Sequence, residues 1–204
     1  AEWYPTESDV VAGNIVSVGA NSITYESQGA DPEQGAIVHL GTQKISVLKK
    51  ASAGDAILGI ISTAPFQTFG SDVRPYALSS HPLALSGRLP VQISDEAGAI
   101  QAGDGIAVSS IAGVGMKATK AGNIIGIALE SFDGISSEVE PPIGGSTSPY
   151  PVGKILVFVN LGYSKLDSQL TTNDPQQTTN AWSVDQQSGK VNVNFYGDIN
   201  LQGN

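Results

Sequence analysis

Histidine and serine side chains are the first candidates for chemistry in this sequence. His39 lies at an alternate position in the apolar run Ala36-Ile-Val-His-Leu40, and His81 lies in the turn Ser79-Ser-His-Pro82. Neither histidine has a second histidine or a carboxylate at the spacing that metal sites use. The serine pairs at 79–80 and 109–110 lack the Gly-x-Ser-x-Gly pattern of a nucleophile elbow, so their hydroxyls are expected to cap turns. The sequence therefore predicts structural roles for these residues.

Acidic residues form two close pairs, Asp95-Glu96 and Glu138/Glu140. An acid–base site would need two carboxylates that the fold brings together, with the pKa of one raised by burial. Aspartates in turns, together with backbone carbonyls, could instead bind calcium, although no Asp-x-Asp-x-Asp-Gly loop is present. The sequence predicts no cofactor and keeps calcium as the alternative.

A lysine–asparagine isopeptide cross-link is a further option, because the chain has no cysteine with which to form disulfides. Lys154 and Asn160 flank one predicted strand, but they point too far apart to react with each other. The partners in such a cross-link would have to lie elsewhere.

Aromatic residues lie near both ends of the chain and can either pack in the core or anchor contacts between subunits, where aromatics are enriched. Head-to-tail assembly by strand addition would use aromatic, β-competent segments at both ends. The predicted inter-subunit contact residues are Trp3, Tyr4, Trp182, Val191, Val193, Phe195, Tyr196, Ile199 and Leu201.

The elements that must position these residues are predicted to be strands. Apolar runs rich in Val, Ile and Leu recur between Gly, Pro, Asn or Asp, whereas helical periodicity is hard to find. So many short strands predict an all-β fold, either a compact sandwich or a partly closed barrel. The predicted strands are Val10–Val18, Ser22–Glu26, Ala36–Leu40, Lys44–Leu48, Ala56–Thr63, Arg74–Leu78, Leu83–Ile93, Gly105–Val108, Gly115–Ala118, Ile124–Leu129 and Lys154–Val159.

A weak internal repeat indicates that the β unit is duplicated. Residues 12–18 (Ala-Gly-Asn-Ile-Val-Ser-Val) match residues 102–108 (Ala-Gly-Asp-Gly-Ile-Ala-Val) in order as well as composition. Residues 48–61 echo residues 116–128 in the same way, since each contains an Ile-x-Gly-Ile segment. In each copy the Ala-Gly-Asx turn supplies a residue that tolerates positive φ before a core strand.

Composition divides the chain into three parts. Residues 1–163 form the predicted β-rich core module, and 138–151 within it is a Pro/Gly/Ser-rich surface loop. Residues 164–180 are polar and predict a linker or arm. Residues 181–204 form a terminal β segment, in which the alternation of apolar and polar residues at 191–195 predicts a strand suited to pairing between subunits.

The charge balance excludes some functions. Ten Lys plus Arg against nineteen Asp plus Glu give a net charge of −9, without a basic cluster longer than two residues, so nucleic-acid binding is disfavoured. The longest apolar run, Ile155-Leu-Val-Phe-Val159, is far shorter than the roughly 20 residues of a membrane span. The charged share of 14% is low, and the polar surface of Ser, Thr, Asn and Gln that replaces charge predicts an extracellular or cell-surface location.

Eight ordered blocks carry a resemblance that covers about residues 1 to 163. Together they resemble a module found near the C-termini of large, repetitive bacterial surface proteins. That module is in turn distantly similar to the self-cleaving intramolecular-chaperone domain of phage neck-appendage and tail-spike proteins, classed as a glutamic-type peptidase. The blocks begin with Ala1-Glu-Trp-Tyr-Pro5 and Ala12-Gly-Asn-Ile-Val16, and continue with Ile57–Pro65, Ala84–Val91, Ile100–Asp104, Gly113–Ala118, Ile124–Glu130 and Ile155–Asn160.

The phage resemblance implies that Glu2 takes part in one self-cleavage, with the cut upstream of the domain. In that family the fibre precedes the chaperone, whereas here strand-like sequence continues after it. The sequence therefore predicts a non-catalytic structural subunit of an extracellular fibre, filament or surface appendage. The predicted partners are other copies of the chain, in a homopolymer or a trimer. The alternative is an autoproteolytic or trimerisation chaperone module, and a third reading is a carbohydrate-binding adhesin with exposed aromatics.

Overall fold

The structure is a computed structural model that describes residues 1–31, 33–134, 149–164, 182–187 and 190–195. The chain divides into two compact units, Ala1–Leu166 and Asp167–Asn204, and each is described by itself. Regular structure is almost entirely β, which confirms the predicted all-β class. The predicted loop 138–151 and the predicted linker 164–180 lie almost wholly outside the described residues.

Within its described residues, the first unit contains ten strands and one short 3-10 helix at Ser71–Tyr76. Its first half contains β1 (Glu2–Pro5), β2 (Ile15–Ala30), β3 (Ile37–Lys50), β4 (Ile57–Ile61) and β5 (Ser80–Ala84). Its second half contains β6 (Ser86–Ser94), β7 (Gly105–Val108), β8 (Gly115–Lys117), β9 (Gly122–Ala128) and β10 (Val152–Ser164).

Strand pairing is the same in the two halves. The first sheet has the order β1-β5-β4-β2-β3, and the second is a closed barrel that reads β6-β10-β9-β7-β8 around the ring. The barrel closes through the parallel pair Ile93–Gly115, and the first sheet has the equivalent parallel bridge Thr6–Leu48. The predicted duplication and partly closed barrel are therefore confirmed.

The register is also preserved between the halves. Val16 lies opposite both Lys50 and Gly59, and its counterpart Ile106 lies opposite Lys117 and Gly126. A slip of one residue would turn every side chain to the other face of a strand. The shared register therefore means that equivalent positions face the same side of the sheet in both halves.

Ala-Gly-Asx turns start the core strand of each half. The Val11 N–H donates to Oδ1 of Asn14 at 2.9 Å, and the Gln101 N–H donates to Oδ2 of Asp104 at 2.8 Å. The intervening glycines at positions 13 and 103 have φ of 88° and 98°, a left-handed conformation that other residues adopt only with strain. A third copy of the turn ends at Asp55, whose Oδ2 accepts from the Ser52 N–H at 2.9 Å.

One hydrophobic core joins the halves. Buried residues of the first half, including Ile15 and Ile60, pack in the same cluster as Ile93, Ile106 and Val157 of the barrel. The side chain of Asn14, which is 1% exposed, adds a polar link, because its Nδ2 donates to Oε1 of Gln92 at 3.0 Å. A smaller cluster lies inside the first half only and contains Val10, Val16, Leu48, Ile61 and Leu83.

Several predicted strand boundaries are wrong. The predicted strands Val10–Val18 and Ser22–Glu26 belong to one long strand, β2, which begins only at Ile15. The segment predicted as strand 74–78 overlaps the 3-10 helix, in which Pro75 cannot donate to a strand ladder. The predicted strand Leu83–Ile93 is two strands separated at the exposed Leu85. Conversely, Ala36–Leu40 and Lys44–Leu48 belong to one long strand, β3, because Gly41 at φ 90° bulges within the ladder without ending it.

The second unit is described at two strands, β11 (Trp182–Gln187) and β12 (Lys190–Phe195), which pair as an antiparallel hairpin. The strand predicted at 191–195 agrees with β12, and β11 lies within the predicted terminal β segment 181–204.

Candidate functional site

The N-terminal residues are held by the loop between β4 and β5. The Ala1 ammonium donates to the carbonyl oxygen of Gln67 at 3.1 Å, and the Trp3 N–H donates to that of Phe69 at 2.9 Å. Glu2 is exposed and lies beside Gly70, where an added Cβ would lie 3.1 Å from Cγ of Glu2. The carboxylate of the residue suspected in self-cleavage is therefore open to solvent on β1.

Trp3 and Tyr4, both predicted to contact other subunits, also make contacts within the chain. The Arg74 guanidinium lies 4.2 Å from the centroid of the Trp3 ring, a cation–π geometry. Tyr4 packs against the smaller core cluster, and burial raises the pKa of its hydroxyl, with further contributions from the charges of Glu2 and Tyr25. These two aromatics fasten β1 to its own module, and each stays partly exposed.

Thr6, Ser79 and His81 form a polar cluster that was not predicted from the sequence. The Thr6 hydroxyl lies 2.9 Å from Nδ1 of His81 and 3.1 Å from the Ser79 hydroxyl. A hydroxyl beside an imidazole resembles a nucleophile–base pair. Thr6 is only 5% exposed, however, so a substrate carbonyl has no path to its Oγ1.

The same positions in the second half explain what this cluster does. Thr6 corresponds to Ile93 and His81 to Ile155, and both isoleucines are buried. The first half thus replaces an apolar contact by a hydrogen-bonded one between the end of β1 and the start of β5. Burial lowers the pKa of His81, which favours the neutral ring.

A two-stranded ribbon is the largest feature that the predictions missed. Strands β2 and β3 continue past the body of the sheet. They stay paired from Ser22 opposite Ser46 to Ala30 opposite Ile37. The last pair before this extension is Val18 with Leu48. Its equivalent in the second half, Val108 with Gly115, is joined by a short turn. The signal in the sequence is a run of four predicted strands, of which the first two belong to β2 and the next two to β3.

The two outer edges of this ribbon differ. The 3-10 helix packs on β2, where the Gln28 N–H donates to Oδ2 of Asp72 at 3.0 Å and the Tyr25 and Tyr76 rings lie 6.5 Å apart. Within the described residues, the stretch of β3 from Ile37 to Ser46 pairs only with β2. Most of this stretch is exposed, and the side chain of Ile37 is 71% exposed.

The hairpin β11–β12 contains four of the predicted contact residues. Its register sets Trp182 opposite Phe195, Val184 opposite Val193, and Gln186 opposite Val191. The remaining predicted contact residues, Tyr196, Ile199 and Leu201, lie outside the described residues.

No protein-family model, no curated protein and no solved structure matches this chain. The resemblance to surface-protein and phage modules therefore remains a prediction. In the described ranges, no helix has the length and apolar character needed to cross a membrane.

The other candidates from the sequence lie apart from one another. His39 is exposed on the ribbon, and Glu96 accepts a hydrogen bond from the Ser110 N–H at 2.9 Å. Lys154 and Asn160 lie on β10, opposite Gln92 and Ser86 respectively. Glu138 and Glu140 are outside the described residues, and among those described no group of three or more His, Asp or Glu side chains is arranged to hold a metal ion.

Proposed function

We propose that this protein is a structural subunit of an extracellular fibre, filament or surface appendage, and that copies assemble through β-strand contacts. The observation that carries the proposal is the hairpin β11–β12, which belongs to a compact unit separate from the duplicated module. The module itself supplies a rigid body, since its two halves share one core.

A two-stranded hairpin needs further packing to be stable. Isolated hairpins are marginal in water, and three or more strands or a packed apolar surface are required for independent stability. The register of β11–β12 sets apolar residues opposite each other at Trp182–Phe195 and Val184–Val193. In the part of the chain that the structure describes, β11 and β12 pair only with each other, and a strand of a neighbouring copy would add the third strand.

Surface composition supports an extracellular setting. The charged share of 14% is about half of the roughly 25% typical of globular proteins, and the chain has no cysteine. Stability outside the cell would then come from the duplicated core and from strands shared between copies, without disulfides.

Removal of residues 181–204 tests the proposal. The full chain is expected to form polymers that are visible by negative-stain electron microscopy, and the truncated chain is expected to remain a folded monomer by light scattering. Val193→Asn should weaken assembly, whereas Asn192→Ser, one residue away and opposite Asp185, serves as the matched control. Normal polymers from the truncated chain would refute the proposal.

The second candidate function is an autoprocessing or trimerisation chaperone module that uses Glu2. The supporting observation is the exposed position of this carboxylate beside Gly70, whose left-handed φ of 67° allows the close approach. Under this hypothesis, a longer precursor with the natural Glu2 is expected to be cleaved and to yield a discrete trimer. The same precursor carrying Glu2→Gln is expected to stay uncleaved. Identical maturation of the variant would exclude a role for Glu2.

A further inference from the structure

The internal duplication shows which part of the first half has no counterpart in the second. In the second half, Val108 and Gly115 pair and are joined by the turn 109–114. In the first half the corresponding residues, Val18 and Leu48, also pair, but residues 19–47 are inserted between them. Because the second half closes its barrel without such an insertion, the ribbon has a role other than closing the sheet.

The free edge of β3 is the chemically distinctive part of that ribbon. An unpaired strand edge presents backbone N–H and C=O groups that can pair with another strand, and proteins usually protect such edges. The edge of β2 is partly occupied by Asp72 and the 3-10 helix, whereas Ile37 to Ser46 of β3 pairs on one side only among the described residues. Exposed Ile37 and Leu40 add apolar surface along this stretch.

The geometry points to addition of the β11–β12 hairpin of a second copy to the β3 edge, with β11 as the pairing strand. This inference rests on the proposed function and names the surface that receives the hairpin. Among the described residues, β11 and β12 pair only with each other and the stretch Ile37 to Ser46 pairs only with β2, so each element can accept a strand that the other can supply.

Charge and chain length favour this occupant. From Ile37 to Ser46 the one charged residue is Lys44, whereas β11 contains the single charge of Asp185, so the two strands are complementary within a chain of net charge −9. Residues 165–181 separate β10 from β11 and can span roughly 55 Å when extended, which is enough to reach a neighbouring molecule. Since donor and acceptor are different surfaces, the contact is head-to-tail and can propagate into a filament.

Disulfide trapping between single-cysteine variants tests the contact, because the natural chain has no cysteine. Gln43→Cys and Thr42→Cys, at adjacent positions of β3, would each be mixed with Ser183→Cys or Val184→Cys under mild oxidation. Mixed dimers are expected to exceed either self-dimer at least five-fold for one of these combinations. Ser110→Cys, on an exposed turn of the second half, is the control and should give no such excess.

Two outcomes would overturn the inference. One is equal yields for the β3 positions and the Ser110→Cys control. The other is a double variant, such as Gln43→Cys with Ser183→Cys, whose disulfide forms only within one chain, since that result places the hairpin on its own β3.

Charge exchange provides an independent measurement on the full chain. Lys44→Glu and Asp185→Lys are each expected to weaken self-assembly about five-fold, the scale of one exposed ion pair, and a mixture of the two variants should recover it. The absence of recovery would count against pairing of β11 with the β3 edge.

Replacement of residues 19–47 by the second-half turn 109–114 separates this inference from the proposed function. A folded variant that no longer polymerises supports the β3 edge as the acceptor. Polymers that persist without the ribbon would refute this inference and leave the structural-subunit proposal standing. A full-length chain that forms no polymer at any concentration would refute both.

Discussion

Gly59 and Gly126 occupy the same register position in the two halves of the module, and each allows its strand to approach a carbonyl group of the neighbouring strand. A Cβ on Gly59 would lie 2.6 Å from the carbonyl oxygen of Ala84, and a Cβ on Gly126 would overlap that of Phe158. Ala84 and Phe158 are themselves equivalent positions of β5 and β10. The glycine of the repeated Ile-x-Gly-Ile segment is thus a packing requirement that duplication preserved.

Alanine at either of these glycines should destabilise the module. We expect Gly59→Ala and Gly126→Ala each to lower the free energy of unfolding by about 1–3 kcal/mol, because the backbone must move to admit the methyl group. Gly122→Ala is the matched control, since this glycine of β9 has open space around its Cβ position and a φ outside the left-handed region. Urea denaturation followed by circular dichroism measures all three. Equal stability of the three variants would contradict the assigned close approach.

Stability should fall as the pH falls below about 6.5, because of His81. Burial lowers the pKa of His81 from its ordinary value of 6.5, so the unfolded chain takes up a proton before the folded one does. The unfolded state then binds more protons, and stability rises with pH in this window. Thermal unfolding between pH 5 and pH 8 measures the slope of stability against pH. This slope should correspond to the uptake of less than one proton on unfolding.

A double variant isolates the contribution of His81. Thr6→Val combined with His81→Ile recreates the apolar pairing of the second half and is expected to flatten the slope. His39→Gln, on the exposed ribbon, should leave the slope unchanged. A slope that persists in the double variant would assign the pH dependence to other groups.

A separate loss of stability is expected at acid pH because of Asp55. The hydrogen bond from Lys49, whose Nζ lies 2.7 Å from Oδ2, together with those from the Ser52 N–H and the Ser17 hydroxyl, lowers the pKa of Asp55 from 3.8 to about 2. The folded state therefore holds the carboxylate ionised where the unfolded chain protonates it. Its contribution is present above pH 3.8 and is lost as the pH falls toward 2.

Asp55→Asn should remove that acid dependence while retaining an oxygen that can accept from the Ser52 N–H. Urea midpoints measured at pH 2.5 and pH 5 are expected to differ less in this variant than in the natural chain. Glu33→Gln, on an exposed turn, is the control that should leave the difference unchanged. An unaltered pH difference in Asp55→Asn would show that this carboxylate is not the responsible group.

The contact between Arg74 and Trp3 should stabilise the attachment of β1. Arg74→Ala is expected to cost about 0.5–2 kcal/mol, because it removes a cation from the face of the indole ring. In a Trp182→Phe background Trp3 is the one remaining tryptophan, so its fluorescence reports directly on this site. Arg88→Ala, an exposed arginine of β6, is the control. Unchanged stability and emission in Arg74→Ala would show that the contact contributes nothing.

Local sequence determined the β class, the turns and the duplication. Branched apolar residues bounded by Gly and Asx specify strands and turns through neighbouring residues alone, which is why the matching of residues 12–18 with 102–108 led to two copies of one unit. Local pattern was insufficient where strand ends depend on partners. Leu83–Ile93 resembles one strand in its local sequence, but its division at Leu85 follows from pairing of β5 and β6 in different sheets.

Tertiary structure alone decided what the candidate residues contact. Thr6 and His81 are 75 positions apart, and pairing of β1 with β5 brings their polar atoms to 2.9 Å. The equivalence of Gly59 and Gly126 was visible as a repeated motif, but its reason, a carbonyl group on the next strand, depends on which strands are neighbours. The free edge of β3 is likewise a property of sheet order. No strand is an edge in its own sequence, because edges are defined by the pairings that the rest of the chain does not make.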